Sequence, residues 1–297
     1  MKRNLLTALL IAAGVVAAPV AQASVIAAAD LAISQFLLVN AAGQVPTGIT
    51  ILNGDRQGEM VASFNGVNVS DTGFIGSGTA NLDVAPVCSG PDCGLTGANN
   101  NTTIFGDTLG SFARSDMFVS GSAFELGAAG LTRADTYAQG ATVFANANST
   151  IANNVLSTYK INVAADANVA FILDANLYLR SAITGASLGG PADTTNASVS
   201  FSINVKNASG ATILDWAPSQ LNAGVTAFDF VGFNDVGGFN SYDDLSSGFV
   251  NLASGNYSIT IQQKSTARVS AVPEPASMAL MGLGLVGLAA IRRRKTA

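Results

Sequence analysis

The side chains that could do chemistry in this chain are carboxylates, because the 297 residues include no histidine. Nucleophiles activated by histidine and zinc sites with histidine ligands are therefore excluded. Two carboxylates across a cleft can hydrolyse glycosides, and Glu59 and Glu125 are the only glutamates between the chain ends. The aspartates are spread thinly among turns, and spacing in the sequence does not identify a pair across a cleft. We predict that the protein is not an enzyme. A glycoside-active enzyme is an alternative that rests on fold analogy alone.

Oxygen ligands and glycines are concentrated at residues 234–244. Asp235, Asn240, Asp243 and Asp244 are hard oxygen donors of the kind that Ca²⁺ prefers, but their spacing fits neither an EF-hand nor a nonapeptide repeat. We interpret the segment as a solvated hairpin loop without metal or other cofactor, and calcium binding is the alternative.

Aromatic rings could stack on the apolar faces of sugars. The candidates are Trp216, Tyr178, Tyr242 and the cluster Phe228, Phe230 and Phe233. Because large rings also dominate protein cores, packing inside the fold explains the same residues. A carbohydrate-binding module is therefore an alternative function.

Apolar and polar residues alternate along several segments of the chain. The pattern is clear at residues 171–179, 199–205 and 257–261, and a period of two is typical of half-buried antiparallel strands. Residues 31–39 could form a helix or a bulged strand, and we favour the strand.

Turn residues separate the apolar runs. Asn53-Gly54, Asn65-Gly66 and residues 207–210 tolerate positive φ and predict hairpins. Residues 87–101 break the alternation and predict a loop. The sequence thus predicts an all-β fold, a single antiparallel β-sandwich with a jelly-roll-like topology over residues 24–264.

The N-terminus has the organisation of an export signal. A basic start and an apolar run at residues 5–18 precede Ala21 and Ala23, the small residues that signal peptidase requires. We predict cleavage before Ser24, which makes residues 1–23 a signal peptide; an uncleaved anchor is the alternative.

Export bears on the two cysteines, Cys88 and Cys93. Nearby thiols in an exported protein tend to pair, whereas two thiols without further ligands do not make a zinc site and a redox pair normally has two residues between its cysteines. We predict a structural disulfide.

The C-terminus has three parts, which follow a linker at residues 265–272. Pro273, Glu274 and Pro275 come first, and residues 276–291 form a short apolar span. The basic cluster is Arg292, Arg293, Arg294 and Lys295. Basic residues stay on the cytoplasmic side, so the span would anchor a precursor in the inner membrane as a helix with the body outside.

This arrangement resembles the PEP-CTERM sorting signal of Gram-negative bacteria, here residues 273–297. The resemblance implies that an exosortase cleaves near Pro273–Pro275 and delivers the protein to the cell surface or the extracellular polymer layer. The body resembles the EDSAP-type branch of these proteins in four segments. They are residues 29–38, 174–180, 215–218 and 255–261.

The body between the ends is acidic. Six of the 14 basic and one of the 19 acidic residues lie in the ends, which leaves eight basic and 18 acidic residues, a net charge of −10, in residues 24–270. This charge argues against nucleic-acid partners and against docking on anionic lipid, and divalent cations or a neutral exopolysaccharide are more compatible partners. We therefore predict an exported, exosortase-processed structural protein of the extracellular (biofilm) matrix, without catalytic activity.

Overall fold

The structure, a computed structural model, describes residues 24–76, 81–97, 99–100, 110–122, 124, 127–139, 143–151, 158–184, 193–228 and 234–271. In these ranges there are sixteen β-strands and two short 3-10 turns, Cys93–Leu95 and Ser219–Leu221. The strands are β1 Ser24–Asn40, β2 Ile49–Gly54, β3 Arg56–Phe64, β4 Val67–Ile75, β5 Leu82–Ser89, β6 Phe112–Ser122, β7 Gly127–Gln139, β8 Val143–Ile151, β9 Thr158–Val163, β10 Ala167–Thr184, β11 Thr194–Asn207, β12 Thr212–Trp216, β13 Ala223–Phe228, β14 Asn234–Ser246, β15 Val250–Leu252 and β16 Gly255–Ala271.

The described strands form two antiparallel sheets. The seven-stranded sheet has the order β14-β10-β1-β7-β6-β5, with β15 also paired to β10. The nine-stranded sheet has the order β12-β11-β16-β8-β3-β4, with β13 on β11 and with β9 between β16 and β2. The predicted all-β antiparallel sandwich is confirmed. Its sheets are larger than those of an eight-stranded jelly roll and include the meander β5-β6-β7.

The core lies between the sheets because one face of each long strand is apolar. Along β10 the buried residues include Phe171, Leu173 and Leu177, and along β11 they include Phe201 and Ile203. Their neighbours in sequence are more exposed, which confirms the strands predicted from alternation.

Strand β1 is continuous with a bulge, as favoured over a helix at residues 31–39. Its pairing with β10 shifts register between Ser34 and Leu37, and Gln35 has a φ of 52°. The bulge brings Phe36 into the core, where its ring stacks on Phe171 at 5.6 Å between centroids.

Two of the three predicted hairpins are confirmed. Asn65 and Gly66, both with positive φ, join β3 to β4 as a two-residue turn, and residues 207–210 join β11 to β12. The Asn53-Gly54 hairpin is wrong, because β2 pairs with β9 and not with β3. Gly54 serves close packing instead: a Cβ there would lie 2.7 Å from Cδ1 of the Tyr159 ring.

Two segments that were predicted as loops belong to strands. Residues 87–89, predicted as loop, complete strand β5. Residues 234–244, predicted as a hairpin loop, belong to strand β14, which hydrogen-bonds along β10. Glycine and asparagine favour turns in general, but here the paired edge of β10 holds them in a strand.

The predicted linker at residues 265–272 is wrong over the residues that the structure describes. Residues 265–271 continue β16, paired with β11 on one side and β8 on the other. Ser265 is fully buried, and its hydroxyl donates to the Thr132 carbonyl of the opposite sheet at 2.8 Å. Polar residues that suggested a linker are thus buried hydrogen-bonding groups, and the sandwich extends to Ala271.

Candidate functional site

The two chain ends of the sandwich lie at the same end of the fold. Ser24, the first residue of β1, pairs with Gln139 and Thr184, while Ser270 of β16 pairs with Thr194. The last residues of β7 and β10 and the first residues of β8 and β11 lie at this end as well. We call this the tail end. The sorting tail therefore continues directly from a paired core strand.

The predicted processing sites lie outside the described residues, apart from Ser24. They are Ala21 and Ala23 of the signal peptide, Pro273, Glu274 and Pro275, and the basic cluster at residues 292–295. Ser24 is described as the first residue of β1. In the part of the chain that the structure describes, no helix is long and apolar enough to cross a membrane.

The predicted disulfide is confirmed. Cys88 at the end of β5 bonds to Cys93 in the following 3-10 turn, with 5.8 Å between the Cα atoms. The two half-buried cysteines pack against Ile26, Phe112 and Tyr137 on the outer face of the seven-stranded sheet. The disulfide therefore fastens the loop after β5 over this face.

Removing the disulfide is expected to destabilise the fold modestly. The closed loop is short, so the chain-entropy model gives about 2 kcal/mol for the double change Cys88→Ser with Cys93→Ser. Urea unfolding with and without dithiothreitol checks this. The reductant should destabilise the parent protein by a similar amount and leave the double variant unchanged; a drop in the variant too would contradict the assignment.

Three of the six candidate rings for carbohydrate, Trp216, Tyr178 and Tyr242, do not come together, and Phe230 and Phe233 lie outside the described residues. Trp216 packs edge-on against Phe201 of the core, with 6.0 Å between ring centroids, and Tyr242 also packs against the core. Tyr178 lies on the outer face of the seven-stranded sheet. Core packing therefore explains Trp216 and Tyr242, and the three residues do not form one platform.

Tyr178 instead lies beside a ring that the sequence analysis did not single out. It is the register partner of Phe239 on β14, whose side chain is 60% exposed. Next to them Arg180 forms a two-point ion pair with Asp235, at 2.8 and 3.2 Å. Burial raises the pKa of Tyr178, although Arg180 opposes that shift.

The candidate calcium ligands are separated along β14. Asp235 is bound to Arg180 at one end, whereas Asp243 and Asp244 lie at a bulge near the other end. At this bulge Asp174 accepts a hydrogen bond from the Asp244 amide at 2.9 Å. The described residues contain no group of three or more acidic, cysteine or histidine side chains that could hold a metal ion.

A buried ladder of charges crosses the outer face of the seven-stranded sheet. Arg114 and Asp116 of β6 face Asp135 and Arg133 of β7, and Arg133 also faces Asp30 of β1. We call these five residues the charge ladder. Arg114 and Asp116 are fully buried and 2.7 Å apart, and Arg133 and Asp135 are 2.5 Å apart. Opposite charges alternate both along each strand and across the strand pair.

The ladder has three carboxylates and two guanidinium groups, so one carboxylate is in excess, and that carboxylate is Asp30. Its Oδ1 is buried without a hydrogen bond in the described structure. Burial raises the pKa of Asp30 to about 7, against the attraction of Arg133 and with the help of Asp135. Burial likewise raises the pKa of Asp116, opposed by Arg114. Protonation of Asp30 would make the ladder neutral.

The outer face of the nine-stranded sheet carries a groove of about 700 Å³ at the tail end. Its described lining is rich in hydroxyl groups and contains one side-chain amide, one guanidinium group and one exposed ring. The lining residues that matter here are Ser63, Thr194, Asn196, Thr226, Phe228, Arg268 and Ser270. The sequence analysis singled out only Phe228. The other residues come from separate strands, and only the register of the sheet brings them together.

The comparisons with known proteins identify the tail. The PEP-CTERM protein-sorting motif matches residues 271–295. The motif indicates an exported protein that is targeted to an exosortase and has a membrane-anchored precursor. Neither curated proteins nor solved structures gave a match to this chain. The likeness of the body to the EDSAP-type branch stays a prediction.

Proposed function

We propose that this PEP-CTERM protein is a non-catalytic structural component of the extracellular polymer matrix of a Gram-negative bacterium. One observation supports the proposal most directly: the sorting motif follows immediately on the last core strand of a disulfide-linked sandwich. A rigid body joined to a removable tail suits a protein that is delivered and then stays outside the cell.

Deleting residues 272–297 tests this proposal. The truncated protein keeps every described strand, so we expect it to fold and to be exported but to be lost from the surface and matrix fractions. Quantitative immunoblots of cell, envelope, matrix and medium check its distribution. As a control, Asp215→Asn on the exposed side of β12 in the full chain should leave the distribution unchanged. Equal matrix abundance of truncated and full-length protein would contradict the proposal.

A second candidate function is binding of matrix polysaccharide, and the groove at the tail end favours it. Binding sites for sugars need concave surfaces with several hydrogen-bonding groups and an apolar face. The groove offers hydroxyl groups, the amide of Asn196 and the ring of Phe228, which is 51% exposed. Co-sedimentation of the exported protein with isolated matrix polysaccharide tests this function, and no co-sedimentation would contradict it.

A further inference from the structure

We propose that the groove binds an anionic polysaccharide, with Arg268 as the partner of a sugar carboxylate and Phe228 as the surface on which a sugar ring stacks. This inference rests on polysaccharide binding, the second candidate function, and adds the site and the chemical class of ligand. It does not depend on the tail.

The register of the sheet aligns the groove residues in two rows across the strands. The first row joins Phe228 of β13, Thr194 of β11 and Ser270 of β16. The second row joins Thr226, Asn196 and Arg268 on the same three strands. It continues along the backbone through Asn146 of β8 to Ser63 of β3.

These rows suit an extended chain better than a compact ligand. Adjacent strands lie about 4.8 Å apart, so the second row spans about 19 Å from β13 to β3. The described side chains of the second row are polar, so a ligand with repeated units would meet repeated polar contacts along it. A linear polysaccharide has this form.

The charge of the groove selects an anionic ligand. The body carries a net charge of −10, yet among the groove-lining side chains that the structure describes none is acidic. Arg268 is exposed, and among the described residues it forms no ion pair. A guanidinium group binds a carboxylate through two parallel hydrogen bonds, which a neutral sugar cannot offer.

The amide and the ring are placed to support this contact. Asn196 donates to the Thr226 hydroxyl at 2.8 Å, which fixes both side chains beside the register position of Arg268. Phe228 lies one row further along the strands and presents half of its surface to solvent. Phe228 and Arg268 lie on opposite sides of β11, about 10 Å apart across the strands, so the ring offers an apolar face and the arginine a charge to different sugar units of one chain.

Affinity for two defined polymers tests the inference. Polygalacturonate carries a carboxylate on each sugar and dextran carries none. We expect the full-length exported protein to bind polygalacturonate, and Arg268→Gln to weaken that binding at least tenfold. Phe228→Ala should weaken it several-fold. Affinity electrophoresis measures these changes, and thermal unfolding confirms that each variant is folded.

Lys264→Gln is the matched control, because Lys264 is an exposed cation on β16, four residues from Arg268 and outside the groove. It changes the net charge equally and should leave affinity within twofold. Equal losses for both variants would overturn the site in favour of non-specific attraction. Equal binding of dextran would overturn the anionic class while leaving polysaccharide binding intact. If the protein binds neither polymer, the inference is overturned. Co-sedimentation with native matrix polysaccharide then decides separately whether the protein binds polysaccharide at all.

Discussion

Replacing Arg114 with alanine is expected to lower the free energy of unfolding by about 3–5 kcal/mol, the range for breaking a fully buried ion pair. Arg114 and Asp116 are both fully buried, so the change leaves a carboxylate without its partner in the protein interior. Asp135, which faces Arg114 across the strands, loses a neighbouring cation as well. Urea denaturation followed by circular dichroism measures the loss.

Two further variants distinguish the ion pair from simple loss of packing. Arg180→Ala removes an ion pair whose side chains are 16% and 31% exposed, and it should cost less than about 1 kcal/mol. Arg114→Met combined with Asp116→Asn removes both charges and keeps an acceptor for the Asn100 amide, so it should recover at least half of the loss. An Arg114→Ala loss as small as that of Arg180→Ala would contradict the buried ladder.

The stability of the protein should fall as the pH rises from about 4 to about 7, because the folded state holds a proton on Asp30. The pKa of Asp30 is about 7 in the fold and 3.8 as the ordinary value, so over this interval the folded state binds more protons than the unfolded state. For Asp30 alone, the difference between pH 5 and pH 8 is about 3 kcal/mol. Above pH 7 this contribution levels off.

Asp30→Asn isolates this effect, since asparagine keeps the shape of the protonated acid without the charge. The advantage of the variant over the parent protein in unfolding free energy should widen by about 3 kcal/mol between pH 5 and pH 8, because asparagine loses no proton over this range. Asp215→Asn on β12, where the aspartate is exposed, is the matched control and should follow the parent protein at both pH values. If Asp30→Asn and the parent protein show the same pH dependence, Asp30 is ionised in the fold.

Sequence alone predicted the elements that follow a local rule. The alternation in β10 and β11 requires only that one face meets the core, and the turn at Asn65-Gly66 requires only residues that accept positive φ. The sorting motif is likewise a contiguous pattern that needs no fold. The short separation of Cys88 and Cys93 made their pairing predictable too.

Predictions from the sequence failed where pairing with neighbouring strands determines the local structure. The glycines and asparagines of β14 resemble a loop until β10 pairs with them, and Ser265 resembles a linker residue until the Thr132 carbonyl accepts its hydrogen bond. Gly54 marks the approach of the Tyr159 ring, which comes from a strand more than 100 residues away. Such contacts have no local pattern.

The charge ladder and the groove also depend on register. Asp30, Asp116 and Arg133 come from three strands, and no spacing in the sequence brings them together. The alternating charges of β6 and β7 were a signal for outward-facing residues, but the burial of these charges was not predictable. In the groove, Phe228 was recognised as a ring, whereas Arg268 was not singled out because its neighbours in space come from β11 and β13.

The central claim is that the tail is removed by an exosortase during delivery. Mass spectrometry of the C-terminal peptide, on protein from the parent strain and from a strain without its exosortase, tests this claim most directly. We expect parent protein that ends near Pro273–Pro275 and lacks Arg292–Ala297, and we expect the intact terminus when the exosortase is absent. Surface protein from the parent strain that still carries Arg292–Ala297 would contradict the account.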